Sequence, residues 1–264
     1  MSAQGEAMLL PDKVECEFIF VDLLRASSVL EAEERATPRL SSIEQDRFAS
    51  RAATDMRAAE TWRTSRIALR IALERWAGSD VRQSAFEIEH GGRPQLTQGW
   101  PHFSMSHTGD VAFIAISNHS VIGVDIEKSR TLNMSEARRM KLISAAAKLI
   151  SYRDPIQPPH QEKLDDHSVL QAWVQLEAVA KATGLGIGRV LTDLGVSGGA
   201  GNNEFHAEPY MDDRLCVKDI DVGPGYFAAT ATAALPETLH VTHFPSTQSN
   251  LAIFCQERFL SDEA

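Results

Sequence analysis

The sequence predicts an α+β fold made of two similar α+β subdomains, residues 1–128 and 129–264. The first observation is that helical segments followed by groups of strands occur twice along the chain. The second is a weak internal similarity, because YFAATATAA at 226–234 has the same small-residue, β-rich character as VAFIAIS at 111–117. The third is composition: 43% of the 264 residues are hydrophobic, enough for one large core or two packed cores.

Composition also argues against several functional classes. The formal net charge of −10 disfavours non-specific binding to nucleic acid, which needs a basic surface. No segment approaches the roughly 20 apolar residues that span a bilayer, and residues 1–13 lack the basic and then apolar pattern of a secretory signal. Three scattered cysteines indicate neither a disulfide framework nor a zinc site. We expect a cytoplasmic protein that contacts neither nucleic acid nor membrane.

The first half begins with a predicted strand at 15–23. Residues 43–78 are helical in character and end at a C-cap, Gly78, and a short strand is predicted at 85–89. Within the helical segment Arg66 occupies a position of the apolar face. Its side chain either snorkels at the rim of an amphipathic helix or, with two neighbouring arginines, faces an anion.

The middle of the chain carries three predicted strands, 103–108, 111–117 and 121–127, separated by turn signals. On the last strand Asp125 and Glu127 are two positions apart, so their side chains point to the same face. Adjacent carboxylates raise each other's pKa unless a cation or strong donors neutralise them. The pair therefore either holds a metal ion or lies solvated at a sheet edge.

The second half contains predicted helices at 132–152 and 168–183. The segment Lys128–Arg153 holds seven basic residues and one acid, so it is either a solvated face or a docking surface for an acidic partner. Glu177 and Lys181 lie one turn apart on the second helix, a spacing typical of a surface ion pair. Further strands are predicted at 204–208, 214–220, 226–234 and 239–244.

Four motifs follow one another along the chain: Gly91-Gly92-Arg93-Pro94, Phe103-Ser104-Met105-Ser106-His107-Thr108, Ile122-Gly123-Val124-Asp125-Ile126-Glu127, and Trp173-Val174-Gln175-Leu176-Glu177-Ala178-Val179-Ala180-Lys181 with Gly184 and Gly186. Their order and separation resemble those of the 4′-phosphopantetheinyl transferases, specifically the Sfp-type class, over roughly residues 40 to 235. The resemblance implies a monomer built from a pseudo-symmetric pair of α+β subdomains, with the active site in the cleft between them.

The resemblance also implies an activity. The family transfers the phosphopantetheine arm of coenzyme A to a serine of an acyl or peptidyl carrier protein, releases adenosine 3′,5′-bisphosphate and requires Mg²⁺. By position, Asp125, Glu127 and Glu177 match the metal ligands, and oxygen ligands are what Mg²⁺ prefers. His107 and Lys181 match side chains that contact the phosphates of coenzyme A. These two residues and Glu177 are the predicted catalytic residues.

A nucleotide-binding group is implied in the same way. It consists of Arg66, Gly92, Arg93, Pro94 and Ser106, together with the two phosphate-contacting residues His107 and Lys181.

This chain departs from the family pattern at two places. Leu176 stands where the family usually has lysine, so the proton of the carrier serine would pass to Glu177 or to a bound water. Residues 142–148 lack an acid that the family usually has there, in a region that touches the carrier in relatives. Carrier proteins are acidic, and Lys128–Arg153 is therefore the expected docking surface.

Two other functions stay open. One is a non-catalytic relative that binds coenzyme A or a carrier protein. The three acids argue against it, because converging carboxylates are needed for metal chemistry. The other is a different Mg²⁺-dependent phosphotransferase, which the absence of a Walker-type glycine loop disfavours.

Overall fold

The computed structural model describes residues 14–89, 92–151, 164–197 and 215–256, and within them it has helices and strands in a mixed α+β arrangement. The α+β prediction is thus confirmed. The predicted strand at 204–208 lies outside the described residues. The strands are β1 Cys16–Asp22, β2 Glu87–Ile88, β3 Pro94–Gln95, β4 His102–Thr108, β5 Val111–Ser117, β6 Ile122–Lys128, β7 Cys216–Asp219, β8 Tyr226–Thr232 and β9 Val241–His243. The α-helices are α1 Leu23–Ala36, α2 Ser42–Ala52, α3 Met56–Ala77, α4 Glu136–Ser151, α5 Asp166–Thr183, α6 Ile187–Asp193 and α7 Gln248–Gln256.

Two sheets pack face to face between layers of helices. The four-stranded sheet has the order β4-β5-β1-β9, the three-stranded sheet has the order β6-β8-β7, and β2 and β3 form a separate hairpin. Alternation along β1 shows the layering: Ile19 and Val21 pack with apolar residues of α1, α3 and α7, whereas Phe18 and Phe20 pack with residues of β6. A further core joins β8 to α4, α5 and α6.

The helical segment predicted at 43–78 is two helices, α2 and α3. Asp55 separates them, since its extended backbone cannot continue α2 and its side chain accepts a hydrogen bond from the Ala58 N–H at 3.0 Å. The C-cap at Gly78 is confirmed, with φ at 80°. Helices α1, α6 and α7 were not predicted.

Strand β6 and helix α5 pack backbone to backbone at Gly123. A Cβ atom at this position would overlap the Ala178 carbonyl oxygen and lie 2.5 Å from the Ala182 nitrogen. Only glycine fits so close an approach. The strand that carries Asp125 and Glu127 is thereby pressed against the helix that carries the third predicted acid.

The division at residue 128 and the similarity of the two predicted subdomains stay predictions. The boundary falls at the end of β6, which pairs antiparallel with β8. Strand β9 returns to the first sheet and pairs parallel with β1. Among the helices that the structure describes, none has the length and apolar character needed to cross a membrane.

Candidate active site

A cavity of about 390 Å³ lies where β3 and β4 meet α3, α5 and α6. We call it the main cavity. Its wall includes seven of the predicted site residues: Arg66, Gly92, Arg93, Pro94, His107, Glu177 and Lys181. The remaining three, Ser106, Asp125 and Glu127, are not part of its lining. The structure therefore gathers most of the predicted group around one space, although the residues come from widely separated parts of the chain.

Asp125 is buried directly behind this wall, with 5% of its surface exposed. Its Oδ1 accepts hydrogen bonds from the Ser106 hydroxyl at 2.6 Å and the Lys181 ammonium at 2.8 Å. Burial raises the pKa of Asp125, and the nearby ammonium and hydroxyl oppose that rise. Lys181 also donates to the Val124 carbonyl oxygen at 3.0 Å, so its charge is fixed between strand and helix.

The other two acids lie on β6, two residues after Asp125, and on α5. Glu127 Oε2 accepts hydrogen bonds from Arg130 at 2.6 Å and from the Thr108 hydroxyl at 3.2 Å. Glu177 is half-buried, and its pKa is raised first by burial and then by the negative charge of Asp125. Lys181 opposes that rise, and Glu127 adds to it. The three predicted metal ligands thus act on one another electrostatically across the β6 and α5 contact.

The donor chemistry of these acids fits a hard divalent cation. Asp125, Glu127 and Glu177 offer only oxygen ligands, and a cation would relieve the repulsion that raises the pKa of Glu177. In the described parts of the chain, however, no three His, Cys, Asp or Glu side chains lie close enough to one another to hold a metal ion. Two of the acids are paired with basic side chains: Asp125 with Lys181, and Glu127 with Arg130.

Arginines of α2 and α3 make another part of the main-cavity wall cationic. The guanidinium of Arg66 lies 5.6 Å from the centre of the Trp62 ring, and that of Arg51 lies 5.4 Å from it. Both Arg51 and Trp62 line the cavity, and neither was predicted. Trp62 shares a helix face with Arg66 one turn away and could have been found from that spacing. Arg51 could not have been found from spacing, because it lies on α2 and the turn between α2 and α3 brings it to the cavity.

The arginine cluster considered around Arg66 does not form. Arg63 pairs with Glu31, and Arg70 pairs with Glu44 at 2.7 Å. Among these three arginines only Arg66 contributes to the cavity wall.

His107 faces a positively charged neighbourhood in the ligand-free protein. Its pKa is lowered first by partial desolvation and then by Lys181, Arg51 and Arg66, with Asp125 opposing them. These surroundings therefore favour the neutral imidazole over the imidazolium before an anion binds. The pKa rise expected beside a pyrophosphate group stays a prediction.

Arg93 connects two parts of the wall. Its Nη1 donates to the Ala182 carbonyl oxygen at 2.8 Å, near the C-terminal end of α5, and its Nη2 lies 2.5 Å from a carboxylate oxygen of Glu89. Gly92 precedes it with φ at 84°, and Pro94 opens β3. Gly91 lies outside the described residues. Arg93 has a structural role here in addition to the predicted nucleotide contact.

Leu176 is fully buried in the core beneath α5 and is not part of the cavity lining. A leucine where the resemblance predicts lysine therefore leaves no gap in the wall. Leu142, Ile143, Ala145 and Ala146 of α4 belong to the same core.

No family model matches the chain. The chain is similar to a provisionally named 4′-phosphopantetheinyl transferase of Synechocystis sp., with 30% identity over 129 residues. This similarity supports the phosphopantetheinyl transferase superfamily. The match covers 47% of this chain and 49% of the relative, so the chain spans about half the length of the protein it matches.

Proposed function

We propose that the protein is an Mg²⁺-dependent 4′-phosphopantetheinyl transferase of the Sfp type, acting as a holo-carrier-protein synthase. It moves the phosphopantetheine arm of coenzyme A to a serine of an acidic acyl or peptidyl carrier protein and releases adenosine 3′,5′-bisphosphate. The observation that carries the proposal is the main cavity, in which basic side chains from α3, β4 and α5 line a space bordered by Glu177 and backed by Asp125.

Coenzyme A binds across the cationic walls. Arg66, Arg93 and the Gly92-Pro94 backbone hold the adenine and the 3′-phosphate, because a guanidinium matches phosphate geometry with paired donors. His107 and Lys181 hold the pyrophosphate. Ser106 contributes indirectly, since its hydroxyl fixes the Asp125 carboxylate.

Asp125, Glu127 and Glu177 are the residues that would hold Mg²⁺, and to do so their carboxylates would have to lie closer together than in the described structure. When bound, the cation supplies positive charge that stabilises the developing charge on the phosphates.

Glu177 lines the main cavity and is the general base, acting directly or through a bound water. It takes the proton of the carrier serine hydroxyl, whose oxygen forms a bond to the β-phosphorus of coenzyme A. The bond from that phosphorus to the bridging oxygen breaks, and adenosine 3′,5′-bisphosphate leaves. The Lys181 ammonium and His107 stabilise the charge on the phosphate oxygens.

Helix α4 provides the docking surface for the carrier protein. Arg138, Lys141 and Lys148 are exposed on it, and Met140 beside them is 53% exposed. Arg139 is instead engaged with Asp166 at 2.6 Å. Exposed positive charges steer an acidic partner even though the whole chain carries a net charge of −10.

The test is to incubate the protein with coenzyme A, Mg²⁺ and apo carrier proteins from fatty-acid, polyketide, nonribosomal peptide and siderophore synthesis, and to weigh the carriers. A mass gain of one phosphopantetheine arm is expected on at least one carrier. No gain on any of them would refute the proposal.

A second candidate, a non-catalytic protein that binds coenzyme A or a carrier, is favoured by the Asp125–Lys181 ion pair. This pair neutralises the acid without a metal. Isothermal titration separates the two functions, because a pure binder takes up coenzyme A equally with and without Mg²⁺ and releases no bisphosphate when any carrier is added.

A further inference from the structure

Arg66 has a fully buried neighbour on α3. Arg70 follows it by one helical turn, so both side chains leave the same face of the helix. Arg70 is 1% exposed, and its Nε and Nη2 donate to Glu44 Oε2 at 3.1 and 2.7 Å. Its Nη1 donates to the Val81 carbonyl oxygen at 2.9 Å. Arg70 is therefore a structural cation that anchors Glu44 beside Arg66.

Glu44 uses only one of its carboxylate oxygens in these contacts. Oε2 also accepts hydrogen bonds from the backbone N–H and the hydroxyl of Ser41, both at 3.0 Å, in the capping box of α2. Oε1 is buried and has no hydrogen-bond partner among the described residues. A buried carboxylate oxygen without a donor is costly, so Oε1 indicates a missing donor nearby.

Arg66 has a donor that likewise lacks a hydrogen-bond partner. Its Nε is also buried and lacks a hydrogen-bond partner within the described part of the chain. Burial lowers the pKa of Arg66, the charge of Glu44 opposes this shift, and Arg70, Arg47 and Arg51 reinforce it. Glu44 is thus the carboxylate whose charge offsets the effect of burial and of these arginines on the Arg66 guanidinium.

We propose that Glu44 is a positioning residue for Arg66. Its Oε1 accepts a hydrogen bond from one bound water that in turn accepts from Arg66 Nε, and so holds the guanidinium beside Trp62 at the cavity wall. The terminal guanidinium nitrogens then stay available for an anionic group of the ligand. The positioning itself needs no ligand, and only the identity of that anion rests on the proposed function.

Side-chain NMR of the ligand-free protein tests the contact. The Arg66 Nε–H signal, assigned by its loss in Arg66→Lys, should exchange with water about tenfold faster in Glu44→Asp than in the wild type. The shorter carboxylate keeps its charge near Arg70 and withdraws from Arg66. Glu44→Gln is the second variant, since its amide oxygen can still accept from Ser41 while the charge is lost.

The matched control for exchange is Glu34→Gln. Glu34 is another buried acid of the first sheet's helical layer and accepts from the backbone N–H of Arg39 and Leu40, away from the main cavity. It should leave the Arg66 exchange rate unchanged. Equal exchange rates in the wild type and in the folded Glu44 variants would overturn the proposal.

Calorimetric titration with adenosine 3′,5′-bisphosphate extends the test to binding. Glu44→Asp should raise the Kd about tenfold when Arg66 is present, and by no more than about twofold on the Arg66→Lys background. An equal loss in both backgrounds would mean that Glu44 does not act through Arg66, and would overturn the proposal. If the wild type bound neither the bisphosphate nor coenzyme A, the proposed function would fail and the exchange rates alone would decide the role of Glu44.

Discussion

Gly123→Ala is expected to disrupt the candidate active site by forcing β6 and α5 apart. The added Cβ would lie 2.5 Å from the Ala182 nitrogen, whereas ordinary van der Waals contact begins at 3.4 Å. Helix α5 or strand β6 must therefore move by about 0.9 Å for this contact alone, and further to clear the Ala178 oxygen. Both obstacles are backbone atoms, which cannot rotate away as a side chain can.

This movement has two measurable consequences. Overpacking of this kind costs about 1–3 kcal/mol of unfolding free energy, or more where backbone must shift. Separating β6 from α5 also moves Asp125 and Glu127 away from Glu177 and Lys181. A displacement near 1 Å at a reacting group lowers a rate by about 100-fold. Urea unfolding measures the first effect, and carrier phosphopantetheinylation measures the second.

Gly188→Ala is the matched control. Gly188 lies in α6, its φ is not in the left-handed region, and no atom lies within 4 Å of the position a Cβ would take. This change should be neutral or stabilise the helix by about 0.5–1 kcal/mol. If Gly123→Ala unfolded at the wild-type urea concentration and kept full activity, the close packing of β6 on α5 would not be what places the acids.

Three further predictions concern residues around the site. Leu176→Lys, which introduces the lysine that the resemblance predicts at this position, should destabilise the fold by several kcal/mol because it buries an ammonium in the core; a thermally stable and faster variant would contradict this. Burial tends to raise the pKa of Glu74, but hydrogen bonds from Arg82 and Arg39 hold this pKa below its usual value. The ionised Glu74 carboxylate therefore stabilises the fold at pH values above the unfolded pKa of about 4.3. This stabilisation is lost as pH falls through the lower pKa of the folded state. Glu74→Gln should accordingly lower the urea midpoint at pH 7 and lose that effect in acid; a difference independent of pH would contradict the assignment. Lys141→Glu should raise the KM for the carrier without changing the Kd for coenzyme A, since an exposed charge acts mainly on association; an unchanged KM would place the docking surface elsewhere.

The central strands were predictable to within about a residue at each end, and their boundaries show why. Turn signals separate the strands, and β5 is bounded by Gly109-Asp110 on one side and Asn118-His119 on the other. Helix α1 was missed, although Asp22 caps it and Leu23, Ala26 and Leu30 form its buried face. The helix begins on the residue after a strand, with no loop between them.

The site was only partly predictable for a different physical reason. Spacing along one helix or strand pairs Asp125 with Glu127 and Glu177 with Lys181, but it does not say which pairs meet in space. The resemblance to a family brought these residues together as an expectation. Neither residue spacing nor the family resemblance predicted a role for Glu44. Its capping contact at α2 is local, whereas its contact with Arg70 joins two different helices.

The return of β9 to the first sheet bears on how the chain folds during synthesis. Strand β1 pairs with β9, and the backbone N–H of Phe244 donates to the Phe20 carbonyl oxygen at 2.8 Å. Phe244, Leu251 and Phe254 complete the apolar core that begins with Ile19. Strand β1 therefore gains the partner on its second edge only when residues far downstream in the chain have been made. Contacts of such long sequence separation make folding slow, and a nascent chain lacking them would present β1 as an open edge for a chaperone or for aggregation.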